Sequence, residues 1–140
     1  MKTSIILVFV TLIFTFACNE KKKNAVEELK EKVFAVHDEI MPKMGDIMRY
    51  KKQLNKRIDD LNDAGADENA EKITELKKVV EELDSSQEGM MNWMHEFNSN
   101  FDDMVEDQIL KYLNDQMTKI ENVAKATNKA LNDAEEILSK

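Results

Sequence analysis

The chain has 140 residues, of which 42% are hydrophobic and 34% are charged, and its formal net charge is -8. Three glycines and one proline are too few for a loop-rich fold, so the composition predicts long helices in a single domain. The acidic balance argues against a nucleic-acid partner, because no basic face is present to neutralise phosphates.

The N-terminus has the features of a secretory signal. Lys2 precedes an apolar run at residues 5–17, which is too short to span a bilayer comfortably. Ala17 then stands directly before Cys18, the sole cysteine. Thr15, Phe16, Ala17 and Cys18 resemble the lipobox of bacterial lipoproteins, and this resemblance implies cleavage before Cys18 and lipid attached to it. An ordinary signal peptide and an uncleaved anchor are the alternatives.

This interpretation divides the chain into three parts: a signal peptide at residues 1–17, a lipidated cysteine and polar tether at residues 18–23, and a helical bundle at residues 24–140. The lipid would hold the protein on a membrane of the bacterial cell envelope. Asn19 after the cysteine favours the outer membrane under the sorting rule of some lipoproteins, with the bundle facing the periplasm or the surface. An acylated Cys18 leaves no thiol for a disulfide within the chain, so helix packing must supply the stability.

The first predicted helix covers residues 24–62. Aliphatic side chains recur at every seventh residue, which predicts one continuous packing seam. The seam residues are Val26, Val33, Ile40, Ile47, Leu54 and Leu61. Pro42 removes a backbone hydrogen bond and costs about 3 kcal/mol inside a helix, yet the seam keeps its phase across it. We therefore expect a kink at Pro42, loosened by Gly45, in a helix that continues.

Two further helices are predicted at residues 67–98 and 102–138. The seam of the second reads Ile73, Leu76, Val80, Leu83, Gln87, Met90, Met94, Phe97 and Phe101. The seam of the third reads Ile109, Leu113, Gln116, Ile120, Val123, Thr127, Ala130, Ala134 and Ile137. Short turns make neighbouring helices antiparallel. The predicted fold is an all-α, elongated antiparallel three-helix bundle with coiled-coil-like heptad seams.

Antiparallel packing allows the heights of residues to be matched. A fold-back at residues 65–66 places Met90 near Met41 and Met94 near His37. A fold-back near residue 100 places Met94 opposite Asp107. Every methionine after Met1, both histidines and the single tryptophan then lie in the membrane-proximal half of the bundle.

These residues predict a soft-metal site, with copper as the metal. Thioethers and imidazole are soft ligands that suit Cu(I). His37 and Met41 are four residues apart, as are Met91 and His95, so each pair shares a helix face. The candidate ligands are His37, Met41, Met44, Met90, Met94 and His95. If Met91 and His95 point to solvent, they form a surface pair or a partner patch instead.

The same residues allow other interpretations. Methionine fills the irregular gaps that a kinked helix creates, so the cluster could be core with no cofactor. A haem between His and Met would need an open slot, which Phe34, Trp93 and Phe97 can fill, and no C-x-x-C-H motif is present. A Met-rich groove could bind a protein partner or a second copy of the chain, as in a periplasmic chaperone or adaptor.

An enzyme is not expected. The sequence has no Ser or Cys nucleophile with a nearby His, no Gly-rich phosphate loop and no H-E-x-x-H motif. His37 and Asp38 are adjacent on a predicted helix, so we expect their side chains to lie on different faces and not to form a dyad.

Two segments carry a second resemblance. His37–Gly45 and Trp93–His95 look like parts of small helical lipoproteins of Gram-negative bacteria, some of which are labelled "viral A-type inclusion protein". The resemblance implies a lipoprotein and a helical fold, and it implies no activity or ligand. The sequence thus predicts a lipid-anchored, Met-rich envelope protein with a binding or structural role.

Overall fold

The computed structural model describes residues 23–140, and the elements in this range are helices joined by turns. The helix α1 covers residues 23–40, α2 covers Lys43–Gly65, α3 covers Ala70–Glu96 and α4 covers Glu106–Ser139. None of these helices combines the length and the apolar character needed to cross a membrane. The proposed signal peptide, Cys18 and residues 19–22 of the tether lie outside the described residues.

The helices α1 and α2 are one helix with a bend at residues 41 and 42. The N–H of Met41 donates to the carbonyl of His37 at 2.8 Å, so the turn before the proline is regular. After it, the N–H groups of Met44 and Gly45 donate to carbonyls three residues back, at 3.1 and 3.3 Å. Pro42 itself keeps helical angles, with φ -59 and ψ -29. The missing N–H of Pro42 is thus absorbed by a tightened turn, without a break.

The seam of the first helix stays in phase across this bend. Its four central residues are fully buried: Val33, Ile40, Ile47 and Leu54. Val26 and Leu61, at the two ends, are half-buried. With α1 and α2 joined in this way, the helices make the predicted all-α bundle, in which α2, α3 and α4 all pack on one another. The predicted fold class is confirmed.

The turn after α2 ends the helix with a glycine. Gly65 has φ 131, a backbone conformation that other residues rarely adopt. The side-chain amide of Asn69 donates to the Gly65 carbonyl at 2.8 Å and so satisfies one of the free carbonyls at the helix end. The next helix, α3, begins at Ala70, later than the residue 67 expected from the sequence.

The core has two parts of different chemistry. One lies toward the α2–α3 turn and is aliphatic: Ile47, Leu54, Ile58, Ile73, Leu76, Val79, Leu83, Ala130, Ala134 and Ile137. The other, called here the soft core, lies toward the α3–α4 loop: Val33, Ile40, Met90, Trp93 and Ile120. The methionines are therefore segregated from the aliphatic core, apart from Met44, which packs against both.

The predicted seam of α4 agrees with the structure better than the predicted seam of α3. The predicted α4 seam is buried at every position except Val123, which is half-buried. In α3 four predicted seam residues are buried: Ile73, Leu76, Leu83 and Met90. At three other places the buried residue is Val79, Ser86 or Trp93, where the 3-4 repeat had indicated the next residue, Val80, Gln87 or Met94. Those three neighbours are half-buried. The apolar face of α3 is wide because it packs on two helices, so packing decided which positions lie at its centre.

The register between the bent α1–α2 helix and α3 is close to the predicted one. The rings of Phe34 and Phe97 meet edge-on with centroids 5.3 Å apart, and the His37 ring lies 5.6 Å from that of Trp93. These pairs match the predicted heights to within one residue. The predicted fold-back of the α2–α3 turn is therefore correct.

The predicted height of α4 is wrong. Met94 was predicted to lie opposite Asp107, whereas Glu96, two residues on, is paired with Lys119 at 3.4 Å. The cause is a longer connection, since α3 ends at Glu96 and α4 begins at Glu106. The Asn98 and Asn100 side chains each accept the backbone N–H two residues on, at 2.9 Å, which stabilises non-helical turns there.

A buried hydroxyl on α4 yields a test of this core. Thr127 is fully buried, and its Oγ1 has no hydrogen-bond partner within the described part of the chain. Thr127→Val keeps the β-branched shape and removes the desolvated hydroxyl, so we expect urea unfolding to show a gain of about 1 kcal/mol. Thr118→Val is the control, because the exposed Thr118 hydroxyl donates to the Asn114 carbonyl at 3.1 Å. A loss of stability in Thr127→Val would mean that the hydroxyl has a partner.

Candidate functional site

The candidate site lies where the bent first helix meets α3 at the soft core. Met90 is fully buried and Trp93 is 5% exposed, while Met44, Met94 and Met117 pack around them partly buried. These methionines come from α2, α3 and α4, so each of these three helices contributes a thioether to the soft core. Met117 was not among the predicted site residues. A correct length for the α3–α4 loop would have placed it at this level.

His37 lies at the border between this core and solvent. Its side chain is 19% exposed and its ring stacks at a tilt of 31° on Trp93. The Nδ1 atom lies 2.8 Å from Oδ1 of Asp38. The expectation that these neighbours could not meet is therefore wrong, because two short side chains can reach sideways along the helix surface. Because a carboxylate only accepts, the Nδ1–H group is the donor in this contact, and Nε2 is the ring nitrogen that can offer a lone pair to a ligand.

The tryptophan carries an unsatisfied donor. Trp93 Nε1 is buried and has no hydrogen-bond partner among the described residues. Trp93 also stacks on Phe97 with centroids 5.0 Å apart, and Phe97 lies 6.0 Å from Tyr112. These rings fill the interior at the level where the sequence analysis had considered a haem.

Other predicted ligands are exposed. Met41 is 37% exposed, and His95 on α3 is exposed as well. Met91, the partner of His95 one turn earlier, is 55% exposed. The structure thus brings Met44, Met90 and Met94 into the soft core, leaves His37 at its border and puts Met41 and His95 on the surface. Met91 and His95 fit the surface pair that the sequence analysis gave as the alternative.

The exposed methionines follow the edge between α2 and α3. Lys51 on α2 forms an ion pair with Asp84 and a 3.4 Å hydrogen bond with Gln87, which joins the two helices along this edge. Met48 lies one turn before Lys51 on α2. Met91 lies one turn after Gln87 on α3 and lines the same surface depression as Lys51. In an antiparallel pair both positions lie on the soft-core side of this ion pair. Met48 is 63% exposed. We call Met41, Met48 and Met91 the methionine edge.

The site has little in common with hard-metal sites. The described residues contain no group of three or more His, Cys, Asp or Glu side chains that could hold a metal ion. The potential ligands gathered at the soft core are thioethers, and thioether sulfur selects soft ions such as Cu(I).

Comparisons of the chain with models of protein families, with curated proteins and with solved structures gave no match.

Methionine oxidation tests the placement of these side chains. Met90 and Met91 are neighbours in the sequence, but Met90 is fully buried and Met91 is 55% exposed. Under dilute hydrogen peroxide we expect Met91 and Met48 to form sulfoxide several times faster than Met90, because oxidation follows exposure. Peptide mass spectrometry at short times measures the rates, with Met90 as the internal control. Equal rates for Met90 and Met91 would contradict this arrangement.

Proposed function

We propose that the protein is a lipid-anchored helical protein of the bacterial cell envelope that binds an unfolded or extended polypeptide through the methionine edge. The lipobox-like residues 15–18 support the anchor. The bundle supports a binding role because its interior is filled by side chains, and its unusual surface feature is an apolar edge. In this proposal the protein acts as a chaperone or adaptor and performs no reaction.

One observation carries the binding role. Four large apolar side chains are exposed in the described part of the chain, and three of them form the methionine edge. The fourth, Val105, lies between α3 and α4. Scattered apolar side chains are normal on a surface, but methionines along one edge form a flexible surface that can adapt to different sequences.

The charges around the edge explain why it would stay exposed in solution. Lys51, Asp84 and Glu88 surround Met91 at the surface depression that it lines with Gln87 and Asn92. Charged neighbours keep an apolar patch soluble and oppose its burial against another copy with the same charge. The net charge of -8 acts in the same direction. A polypeptide segment is therefore a better occupant than a second bundle.

The anchor is tested by removing the lipidation site. In a Gram-negative host, we expect the full chain to enter the membrane fraction and to incorporate a clickable palmitate analogue. Cys18→Ala should lose the label and accumulate as unprocessed precursor, because the chain has no second cysteine. Gel fluorescence and intact mass measure both effects. A labelled Cys18→Ala chain, or an unlabelled wild type, would refute the lipid anchor.

The binding role is tested with a client that unfolds on demand. We expect the full chain in detergent micelles to slow the aggregation of reduced α-lactalbumin, followed by light scattering. Met48→Glu/Met91→Glu should weaken this effect about tenfold or more, since each lost methionine contact is worth roughly 1.5–3 kcal/mol when buried.

Val105→Glu is the control, because it places a glutamate at an exposed apolar residue away from the edge, although it adds one negative charge where the double variant adds two. We expect Val105→Glu to behave as the wild type. Equal activity of all three proteins would show that the methionine edge is not the binding surface. Sedimentation velocity on the same samples would reveal a dimer, which would favour a second copy as the occupant.

A further inference from the structure

The bend at Pro42 aligns three soft donor groups. Between His37 and Met41 the helix is regular, with the 2.8 Å hydrogen bond across that turn, so their side chains lie one above the other. Between Met41 and Met44 the hydrogen bond spans three residues at 3.1 Å. Side chains three residues apart eclipse each other in such a turn. One imidazole and two thioethers therefore form a single stripe.

The histidine in this stripe is prepared to bind a metal. Its Nδ1 lies 2.8 Å from the Asp38 carboxylate, which can only accept, so Nδ1–H is the donor in this contact and Nε2 is the ring nitrogen left for a ligand. Metal-binding histidines commonly donate their second ring N–H to a carboxylate in this way, which orients the ring and raises its basicity. Asp38 is 75% exposed, so its contact with His37 serves no packing purpose.

Trp93 supplies the remaining part of the environment. Its ring lies 5.6 Å from the His37 ring, and the residue as a whole is 5% exposed. An indole face attracts a cation close to it and excludes water from one side. Met44 packs against the same core as Trp93, while Met41 is 37% exposed and leaves a path from solvent. The site is thus half-enclosed and lined by soft or aromatic groups.

We propose that His37 Nε2 and the thioether sulfurs of Met41 and Met44 bind a monovalent soft cation, Cu(I) or Ag(I), beside the Trp93 ring. Asp38 is a positioning residue for His37. Hard divalent ions find few oxygen ligands in this stripe, whereas one nitrogen and two thioether sulfurs suit a soft ion. The site shares Met41 with the methionine edge, but the test of polypeptide binding changes Met48 and Met91 and leaves Met41 in place, so either proposal can fail without the other.

The single tryptophan reports on the site directly. We would titrate the full chain in detergent with Ag(I), with Cys18→Ser in every sample so that the thiol does not compete. Ag(I) binding should quench Trp93 fluorescence with one-to-one stoichiometry. In ¹⁵N spectra of the histidine rings, Nε2 of His37 should shift while His95 does not. Cu(I), kept reduced and supplied from a chromophoric chelator, should displace Ag(I).

The variants separate this site from its alternative. His37→Phe/Met41→Leu keeps the aromatic contact with Trp93 and the side-chain volume, and it should abolish the quenching. Asp38→Ala should weaken Ag(I) binding about tenfold, and the protein should stay folded because Asp38 is an exposed residue. Met91→Leu/His95→Phe removes the same residue types from the surface pair on α3 and should bind as the wild type. Circular dichroism verifies that each variant is folded.

Three results would overturn the proposal. One is an absence of quenching and of any His37 shift at micromolar Ag(I). Another is a loss of binding in Met91→Leu/His95→Phe with normal binding in His37→Phe/Met41→Leu, which would place the ion at the surface pair. The third is unchanged affinity in folded His37→Phe/Met41→Leu.

Discussion

The structure depends on a packing seam that passes through a proline without losing its phase. Ile40 and Ile47 lie on either side of Pro42, and both are fully buried. A helix that broke there would free its two halves to rotate, and α3 and α4 could no longer pack along both. The tightened turn after Met41 avoids this, because hydrogen bonds to carbonyls three residues back replace part of the regular pattern. Both parts of the core rely on that alignment.

The two parts of the core differ in whether they contain buried polar atoms that lack hydrogen-bond partners. The aliphatic part is made of Ile, Leu, Val and Ala side chains, which contain no polar atoms. Trp93 Nε1 in the soft core, and Gln116 Oε1 and Thr127 Oγ1 on the adjoining stretch of α4, are buried polar atoms without hydrogen-bond partners among the described residues. Each such group costs stability, and flexible methionines pack less rigidly than branched side chains. The soft core is therefore the part of the bundle best able to adjust when a ligand binds nearby.

The proposed metal and polypeptide sites follow from one property of methionine. A thioether on a flexible chain is both an adaptable apolar contact and a soft ligand. Burial distinguishes most of these methionines: Met48 and Met91 are well exposed, while Met44 packs against the core beside Trp93. Met41, at 37% exposure, belongs to both proposed sites. The exposed ion pairs around them are worth little in stability and serve mainly to keep the surface soluble.

Periodicity was enough to predict the helices, the bend and the seams of the first helix and of α4, and the short turns predicted the antiparallel order. The periodicity is a local property, since a period of three to four residues reports which face of a helix is apolar wherever that helix packs. The height of α4, the central positions of α3 and the exposure of each methionine emerged only when the helices packed. The height of α4 depends on how many residues the Asn98 and Asn100 turns remove from the helices, and no periodicity encodes that number. The methionine pattern looks the same whether a side chain is buried or exposed, because exposure is set by the neighbouring helix.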